Sequence, residues 1–146
     1  MAKFRFSLQT LLRYREDAEQ AARDEMMLRL YRQQQEQQKL DGLRSTRIET
    51  SEEMAQKQME DTAYGELIYY RMYLDRLDYE IENSNKRLVR LRAEVEVQRR
   101  VLIEASKKRK TLTSLRDKKQ KEFNVAQDKA FQKEIDEIVV IRHKRT

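Results

Sequence analysis

The sequence predicts an all-α protein built as a long antiparallel two-helix coiled-coil hairpin, and three observations support this prediction. Of 146 residues, 40% are charged and 38% are apolar, with two Gly and no Pro, Trp or Cys. A packed globule of this length needs loops made from turn-forming residues, which are scarce here. The abundant residue types are strong helix formers, and the second half carries a regular heptad pattern, which is typical of coiled coils.

The first predicted helix spans about residues 7–59. Ser7 is a good N-cap, and Phe6 and Leu11 have the spacing of a hydrophobic staple. Apolar residues recur at helical spacing on both sides of a polar stretch: Leu8, Leu11, Leu12, Ala18, Ala22, Met26 and Leu30, then Leu40, Leu43, Ile48, Met54 and Met59. Residues 32–39 contain no apolar side chain. We therefore expect this helix to pack weakly there.

A single cluster of turn-forming residues follows the first helix. Asp61, Thr62 and Gly65 lie close together just after Met59. Asp61 or Thr62 can cap the next helix, and Gly65 can take a turn conformation closed to other residues. The pattern predicts a hairpin turn at about residues 60–66.

The second predicted helix, about residues 67–141, has the strongest pattern in the chain. Twelve positions alternate spacings of three and four: Leu67, Tyr70, Leu74, Leu77, Ile81, Ser84, Leu88, Leu91, Val95, Gln98, Leu102 and Ala105. Such a heptad row keeps one stripe of the helix facing a partner helix. Beyond this row, the apolar residues recur with an average period of 3.6 residues, which predicts a straighter helix.

The two helices are unequal in length, although residues 1–146 are predicted to form a single hairpin domain. At 1.5 Å per residue they would span ~80 Å and ~110 Å. The second helix should therefore extend beyond the first by ~30 Å. The extension is basic: residues 107–146 hold thirteen Lys/Arg and six Asp/Glu, whereas the remaining residues are slightly acidic, and the net charge is +6.

Neither catalysis nor cofactor binding is predicted. The only histidine, His143, lies in a charged terminal stretch, and a hairpin of two helices offers no water-poor pocket for a metal site or a general base there. Two isolated glycines cannot form a phosphate-binding loop. No apolar run approaches the ~20 residues of a membrane span, and Arg5 and Gln9 interrupt the N-terminus too early for a signal peptide. The chain is thus expected to be a cytoplasmic protein without enzymatic activity or cofactors.

An aromatic cluster follows the predicted turn. Five of the seven tyrosines fall within residues 64–79. Most of them lie off the heptad row, so they form with two apolar neighbours an outward surface: Ile68, Tyr69, Met72, Tyr73 and Tyr79. We call these five residues the tyrosine surface. An exposed aromatic cluster predicts a site for a partner protein; packing against a second copy or against the turn is the alternative.

The basic C-terminal extension predicts a second contact. Its charges alone are compatible with an ordinary solvated helix face, but the extension also carries apolar residues that the first helix is too short to cover: Phe123, Phe131, Ile135, Ile138 and Ile141. This combination favours a protein partner with an acidic, apolar socket. A nucleic acid is less expected, because no groove-reading fold is recognisable.

Several segments resemble a known family. Residues 4–15, FRFSLQTLLRYR, resemble the F-x-F-x-L-x-x-L-L-x-x-R opening of flagellar FliJ proteins. Tyr70, Tyr73, Leu74, Leu77 and Ile81 fall on the spacing of that family after its turn. Residues 109–119, RKTLTSLRDKK, are similar to its R-K-x-L-x-x-L-R-x-x-K segment, and residues 133–138, KEIDEI, to its E-x-D-E terminus.

The resemblance implies a fold and partners. FliJ proteins are coiled-coil hairpins similar to the central stalk subunit of rotary ATPases. They contact the hexameric ATPase of the flagellar type III export apparatus, its transmembrane export gate and export chaperones. The family's gate contact includes positions that match Tyr73 and Leu77. Together with the tyrosine surface, this predicts a gate contact made by Tyr69, Met72, Tyr73, Leu77 and Tyr79. Those it suggests for the ATPase contact, at the end that holds both termini, are Phe4, Phe6, Arg13, Arg142, Lys144 and Arg145.

The leading hypothesis is therefore a stalk-like adaptor between an export ATPase and a membrane export gate, held at the membrane through protein contacts. Two other classes stay open. A prefoldin-like chaperone would hold clients at its tips, but such chains carry strands between their helices. A basic coiled coil that binds nucleic acid would show salt-dependent binding to DNA or RNA.

Overall fold

The computed structural model describes residues 2–145. It contains two α-helices, α1 at Gln9–Met59 and α2 at Tyr64–Arg145, and no strand within the described residues. The two helices contact each other, so the predicted all-α helical hairpin is confirmed. Two compact units can be distinguished: Ala22–Leu102, and Met1–Ala21 with Ile103–Thr146. In each unit a stretch of α1 packs antiparallel to a stretch of α2.

Helix α1 begins two residues after Ser7. The backbone N–H of Gln9 donates to the carbonyl of Phe6 at 3.1 Å, which closes a turn before the helix. The first i to i−4 bond runs from the Leu12 N–H to the Leu8 carbonyl at 2.8 Å. Leu8 therefore occupies the capping position that the sequence suggested for Ser7.

The connection between the helices has the geometry of a Schellman cap. The N–H of Thr62 donates to the carbonyl of Lys57 at 3.4 Å, and Asp61 has a φ of 56°. A left-handed residue at this position is usually Gly, but Asp also tolerates the conformation. Gly65, expected to make the turn, instead lies in the first turn of α2 with ordinary backbone angles. The prediction that Gly65 adopts the special turn conformation is therefore wrong.

The heptad row of α2 faces α1 as predicted. All twelve positions of the row are buried or half-buried, whereas the residues between them are mostly exposed. Two polar members, Ser84 and Gln98, are among the buried residues. The heptad pattern therefore identified the packed face of α2 correctly.

Helix α1 presents a heptad row that its apolar residues do not reveal. Starting at Leu12, fourteen positions alternate spacings of three and four, and none is exposed: Leu12, Arg15, Glu19, Ala22, Met26, Arg29, Gln33, Glu36, Leu40, Leu43, Arg47, Thr50, Met54 and Lys57. Eight of these are polar or charged. Five apolar residues expected to pack are exposed instead: Leu8, Leu11 and Leu30 at 38–42%, Ile48 at 58% and Met59 at 90%. Polar side chains hold the positions next to α2 in their place.

Helix α2 continues beyond the residues that contact the N-terminal segment. The rings of Phe4 and Phe123 lie 5.7 Å apart at 54°, a tilted aromatic contact. After Phe123, every residue from 124 to 145 is exposed. This terminal stretch of α2 is helical but is not covered by α1.

Candidate interaction surfaces

The tyrosine surface lies on the first turns of α2 and is open to solvent. Its five members are all exposed, from Ile68 at 41% to Tyr69 at 75%. Their neighbours Leu74 and Leu77 are buried against α1, so the packed face of α2 is turned away from the surface. The aromatic residues are thus held on the outside of a rigid element, where a partner can contact them.

Leu77 and Tyr73 occupy different environments although both were assigned to the same contact. Leu77 is only 3% exposed and belongs to the packed row, whereas Tyr73 is half open to solvent. Both residues nevertheless line an open groove of about 430 Å³ between α1 and α2. The α1 side of the groove is formed by residues that include Lys39, Gly42 and Thr46.

An ion pair lies beside the tyrosine surface. The Arg47 guanidinium donates two hydrogen bonds to the Asp78 carboxylate across the two helices. These hydrogen bonds lower the pKa of Asp78 and raise that of Arg47. Because both side chains are about half exposed, the pair fixes the relative register of the helices more than it stabilises them.

A partly buried polar cluster joins α1 and α2 within the unit Ala22–Leu102. The Glu36 carboxylate accepts a hydrogen bond from the Ser84 hydroxyl at 2.7 Å and another from Arg87 Nε at 2.9 Å. Burial raises the pKa of Glu36, but the hydrogen bonds from Ser84 and Arg87 outweigh burial and bring the pKa below its ordinary value. The polar stretch of α1 is therefore paired with α2 through this cluster.

The N-terminal segment forms a cleft with α2. Phe4 and Phe6 are half-buried, and with Leu8, Leu115 and Phe123 they line a cavity of about 730 Å³. Lys3, Arg5 and Lys119 border it, so the cleft combines aromatic rings with positive charge. Arg13 lies on α1 and is exposed.

The terminal cations are distant from this cleft along α2. Arg142, Lys144 and Arg145 are exposed in the last turn, nineteen or more residues after Phe123, or ~29 Å at 1.5 Å per residue. The structure therefore does not bring all six residues assigned to the ATPase contact together. It groups Phe4 with Phe6 at the cleft and leaves the three terminal cations on the uncovered stretch.

The uncovered stretch has an apolar row. Phe131, Ile135 and Ile138 follow spacings of four and three and are all exposed. Such a row on a bare helix suits the groove of a partner protein.

Within residues 2–145 the structure forms neither a metal site nor a membrane span. His143 lies in the last turn of α2, and among the described side chains no three His, Asp or Glu residues come together to hold a metal ion. Over the same residues, neither helix contains a stretch long and apolar enough to cross a membrane. The candidates for function are the exposed surfaces and the cleft described above.

Comparison with known protein families shows which family this chain is related to. The family model described as "Flagellar FliJ protein" matches residues 4–146, nearly the whole sequence. The chain belongs to the FliJ family. No curated protein and no solved structure matches it. The family membership confirms the resemblance found in the sequence and identifies a protein related to flagellar export.

Proposed function

We propose that this FliJ-family protein is a non-catalytic, stalk-like adaptor that links the export ATPase hexamer to the transmembrane export gate. The observation that carries the proposal is the presence of two exposed surfaces of different chemistry on α2. The tyrosine surface lies at its beginning, and the basic, apolar stretch lies at its end. A connector between two different proteins needs two such separate surfaces.

The tyrosine surface is the proposed contact for the export gate. Tyr and Met are enriched at the centres of protein interfaces, and Tyr buries a large area with few rotatable bonds. Here they project from a helix whose opposite face is packed. Leu77 supports this surface from beneath and borders the groove beside Tyr73.

The ATPase contact is proposed at the end of the chain that holds both termini. The cleft of Phe4 and Phe6 and the uncovered stretch with Arg142, Lys144 and Arg145 offer apolar area together with positive charge. A ring with an acidic, apolar socket complements both features. Binding of export chaperones, and a cytoplasmic position at the membrane through protein contacts, complete the proposed role.

The gate contact is tested by replacing surface residues without touching the packed row. We expect Tyr69→Ala, Met72→Ala and Tyr79→Ala together to weaken binding to the soluble domain of the export gate by about 30-fold or more, as hot-spot residues do. The helicity should not change, because all three side chains are exposed. Binding by calorimetry and helicity by circular dichroism are the measurements.

The matched control for the gate contact changes exposed side chains elsewhere on α2. Val89→Ala and Val97→Ala remove exposed apolar groups of the same helix, and gate binding should stay within about twofold of wild type. Equal loss in both sets, or no loss in the first, would contradict the assignment.

The ATPase contact is tested by charge reversal. Replacing Arg142, Lys144 and Arg145 with Glu should reduce binding to the ATPase hexamer by about 10-fold or more, because three attractions become repulsions. The control reverses Lys86, Arg90 and Arg99, which are exposed cations of the other unit. Unchanged ATPase binding and stimulation in the first variant would remove this part of the proposal.

A further inference from the structure

A straight row of lysines runs along α2 before the uncovered stretch. Lys107, Lys110, Lys118 and Lys121 are exposed and follow one face of the helix, with Ser114 in the middle. Ile103 and Val125 extend the row at its two ends and are about half exposed. We call these seven residues the lysine row.

The spacing makes the row nearly parallel to the helix axis. Successive members lie four, three, four, four, three and four residues apart. At about 100° per residue these steps drift by only about 40° over the whole row, and the row is ~33 Å long. The positive charges therefore form a line on one side of the helix rather than a band around it.

Negative charges are kept to the sides of the row. Between Ile103 and Val125 the acidic residues are Glu104, Asp117 and Glu122. Each lies about 60–80° around the helix from the line of the row. Asp117 is 3.8 Å from Arg116, and Glu122 is 3.5 Å from Lys119, so two of the three are already paired with cations outside the row.

The row is presented outward by packing on the other side of α2. Leu112 is buried and Leu115 is half-buried, and Glu19 of α1 accepts a hydrogen bond from Arg109 at 3.1 Å. Among the ion pairs of residues 2–145, none involves Lys107, Lys110, Lys118 or Lys121. Four ammonium groups are thus available to an external anion.

We propose that the lysine row binds the surface of a bilayer that contains anionic lipids. A line of charges on a straight helix can touch a plane at all its members simultaneously, and each Lys near such a surface attracts anionic headgroups. Lysine is a flexible point charge, which suits mobile headgroups of no fixed geometry. Ile103 and Val125 add apolar contacts at the two ends of the row.

A nucleic acid duplex fits the row less well. A straight line of this length touches a cylinder over a short part of its length unless the helix enters a groove. The major groove is about 12 Å wide and admits a single helix. The row runs straight along the helix axis for ~33 Å, whereas the groove winds around the duplex, so the four lysines cannot all lie along the groove at the same time.

The lysine row is separate from the surfaces of the proposed adaptor function. It contains none of the residues assigned to the gate or to the ATPase. Lipid binding would add a direct membrane contact to a protein otherwise held there through other proteins. Failure of either proposal leaves the other standing.

The test uses the full-length protein and vesicles of two compositions. Vesicles of phosphatidylcholine with about 30 mol% phosphatidylglycerol should bind the protein at low salt, and pure phosphatidylcholine vesicles should not. Lys110→Gln with Lys118→Gln should lower the partition coefficient by about 25-fold, since one Lys near the surface contributes roughly fivefold. Binding of both forms should weaken as salt is raised.

A matched variant separates the row from net charge. Lys108→Gln with Lys119→Gln removes the same charge from the same part of α2 but at positions about 120–140° away from the row. This control should lower the partition coefficient by no more than about threefold. Circular dichroism should show unchanged helicity in both variants, because Gln is also a good helix former.

Three results would overturn the proposal. The first is absence of preference for the anionic vesicles, and the second is an equal loss of binding in the two double variants. The third is stronger binding to a macromolecular competitor. Tighter binding to a short DNA duplex at the same salt would favour a nucleic acid, and displacement from the vesicles by polyglutamate of equal total charge would favour an acidic protein.

Discussion

The two helices contribute differently to the face that they share. In α2 the packed row is almost entirely apolar, with Ser84 and Gln98 as its polar members. In α1 more than half of the fourteen positions are polar or charged. Both rows are nevertheless kept from solvent along their length, so burial alone does not distinguish the two helices.

The difference shows that the two helices stabilise the hairpin through different kinds of contact. The packed row of α2 contributes mainly apolar side chains, and the burial of apolar area is non-directional. Polar side chains of α1 supply directional contacts: Glu36 with Ser84 and Arg87, and Glu19 with Arg109. Gln98 of α2 also donates to the Ala22 carbonyl at 3.0 Å. Such contacts specify register, a role that polar residues in coiled-coil rows are known to play.

Truncating a fully packed leucine should have the largest effect. Leu88→Ala in α2 and Leu40→Ala in α1 remove buried side chains, and each should lower the free energy of unfolding by about 2–4 kcal/mol. Urea denaturation followed by circular dichroism measures this. The control Val89→Ala, at an exposed position, should change it by less than about 0.5 kcal/mol; a comparable loss there would contradict the assigned packing.

Removing the half-buried Glu36 carboxylate should have the next largest effect. Glu36→Ala leaves the buried Ser84 hydroxyl without its acceptor, so the free energy of unfolding should fall by about 1–3 kcal/mol. Glu52→Ala, at an exposed site on the same helix, should change it by less than about 0.5 kcal/mol. If both substitutions cost the same, the polar row of α1 does not contribute through specific contacts.

The pH dependence should be smaller and should come from the same carboxylate. The folded-state pKa of Glu36 is lowered, so its stabilising contribution is present above the ordinary carboxyl pKa of about 4.3. That contribution is lost as the pH falls from there through the depressed folded-state pKa. Wild type should therefore lose more stability on acidification than Glu36→Gln does, as measured by urea denaturation at successive pH values. Parallel curves would argue against this coupling.

Filling the glycine position of α1 should have the smallest effect. Gly42 lies inside α1, and no atom lies within 4 Å of the position that a Cβ would take. Gly42→Ala should raise the free energy of unfolding by up to about 1 kcal/mol. Gly65→Ala has equally open space but lies in the first turn of α2, so its gain should be smaller. Thermal unfolding of the two variants compares them.

The sequence predicted the fold and the packed row of α2 because apolar side chains at heptad spacing reveal a buried face directly. It did not predict the row of α1, since Glu19, Glu36 and Arg47 resemble surface residues until their partners on α2 are known. The apolar residue Ile48 was expected to pack and is exposed. Similarly, Asp61 rather than Gly65 takes the left-handed conformation, because the cap geometry depends on where α1 ends.

The candidate surfaces, like the packed rows, could be predicted from the sequence only in part. Tyr69, Met72 and Tyr79 lie off the heptad row, so their exposure followed from the helical period alone. The groove that joins Tyr73 and Leu77 to Lys39 and Thr46 required knowledge of which stretch of α1 lies opposite. The same is true of the Arg47–Asp78 pair, whose members are thirty-one residues apart in sequence. Contacts of this kind have no local signal in one helix.

The polar row of α1 has a consequence for biosynthesis. Because translation proceeds from the N-terminus, α1 leaves the ribosome before α2 exists to pack against it. Because the inner face of α1 has so many charged and amide side chains, it exposes little apolar surface through which neighbouring nascent chains could associate. The helix with the less apolar packed row, α1, is thus synthesised first. When the more apolar row of α2 emerges, α1 is already present for it to pack against.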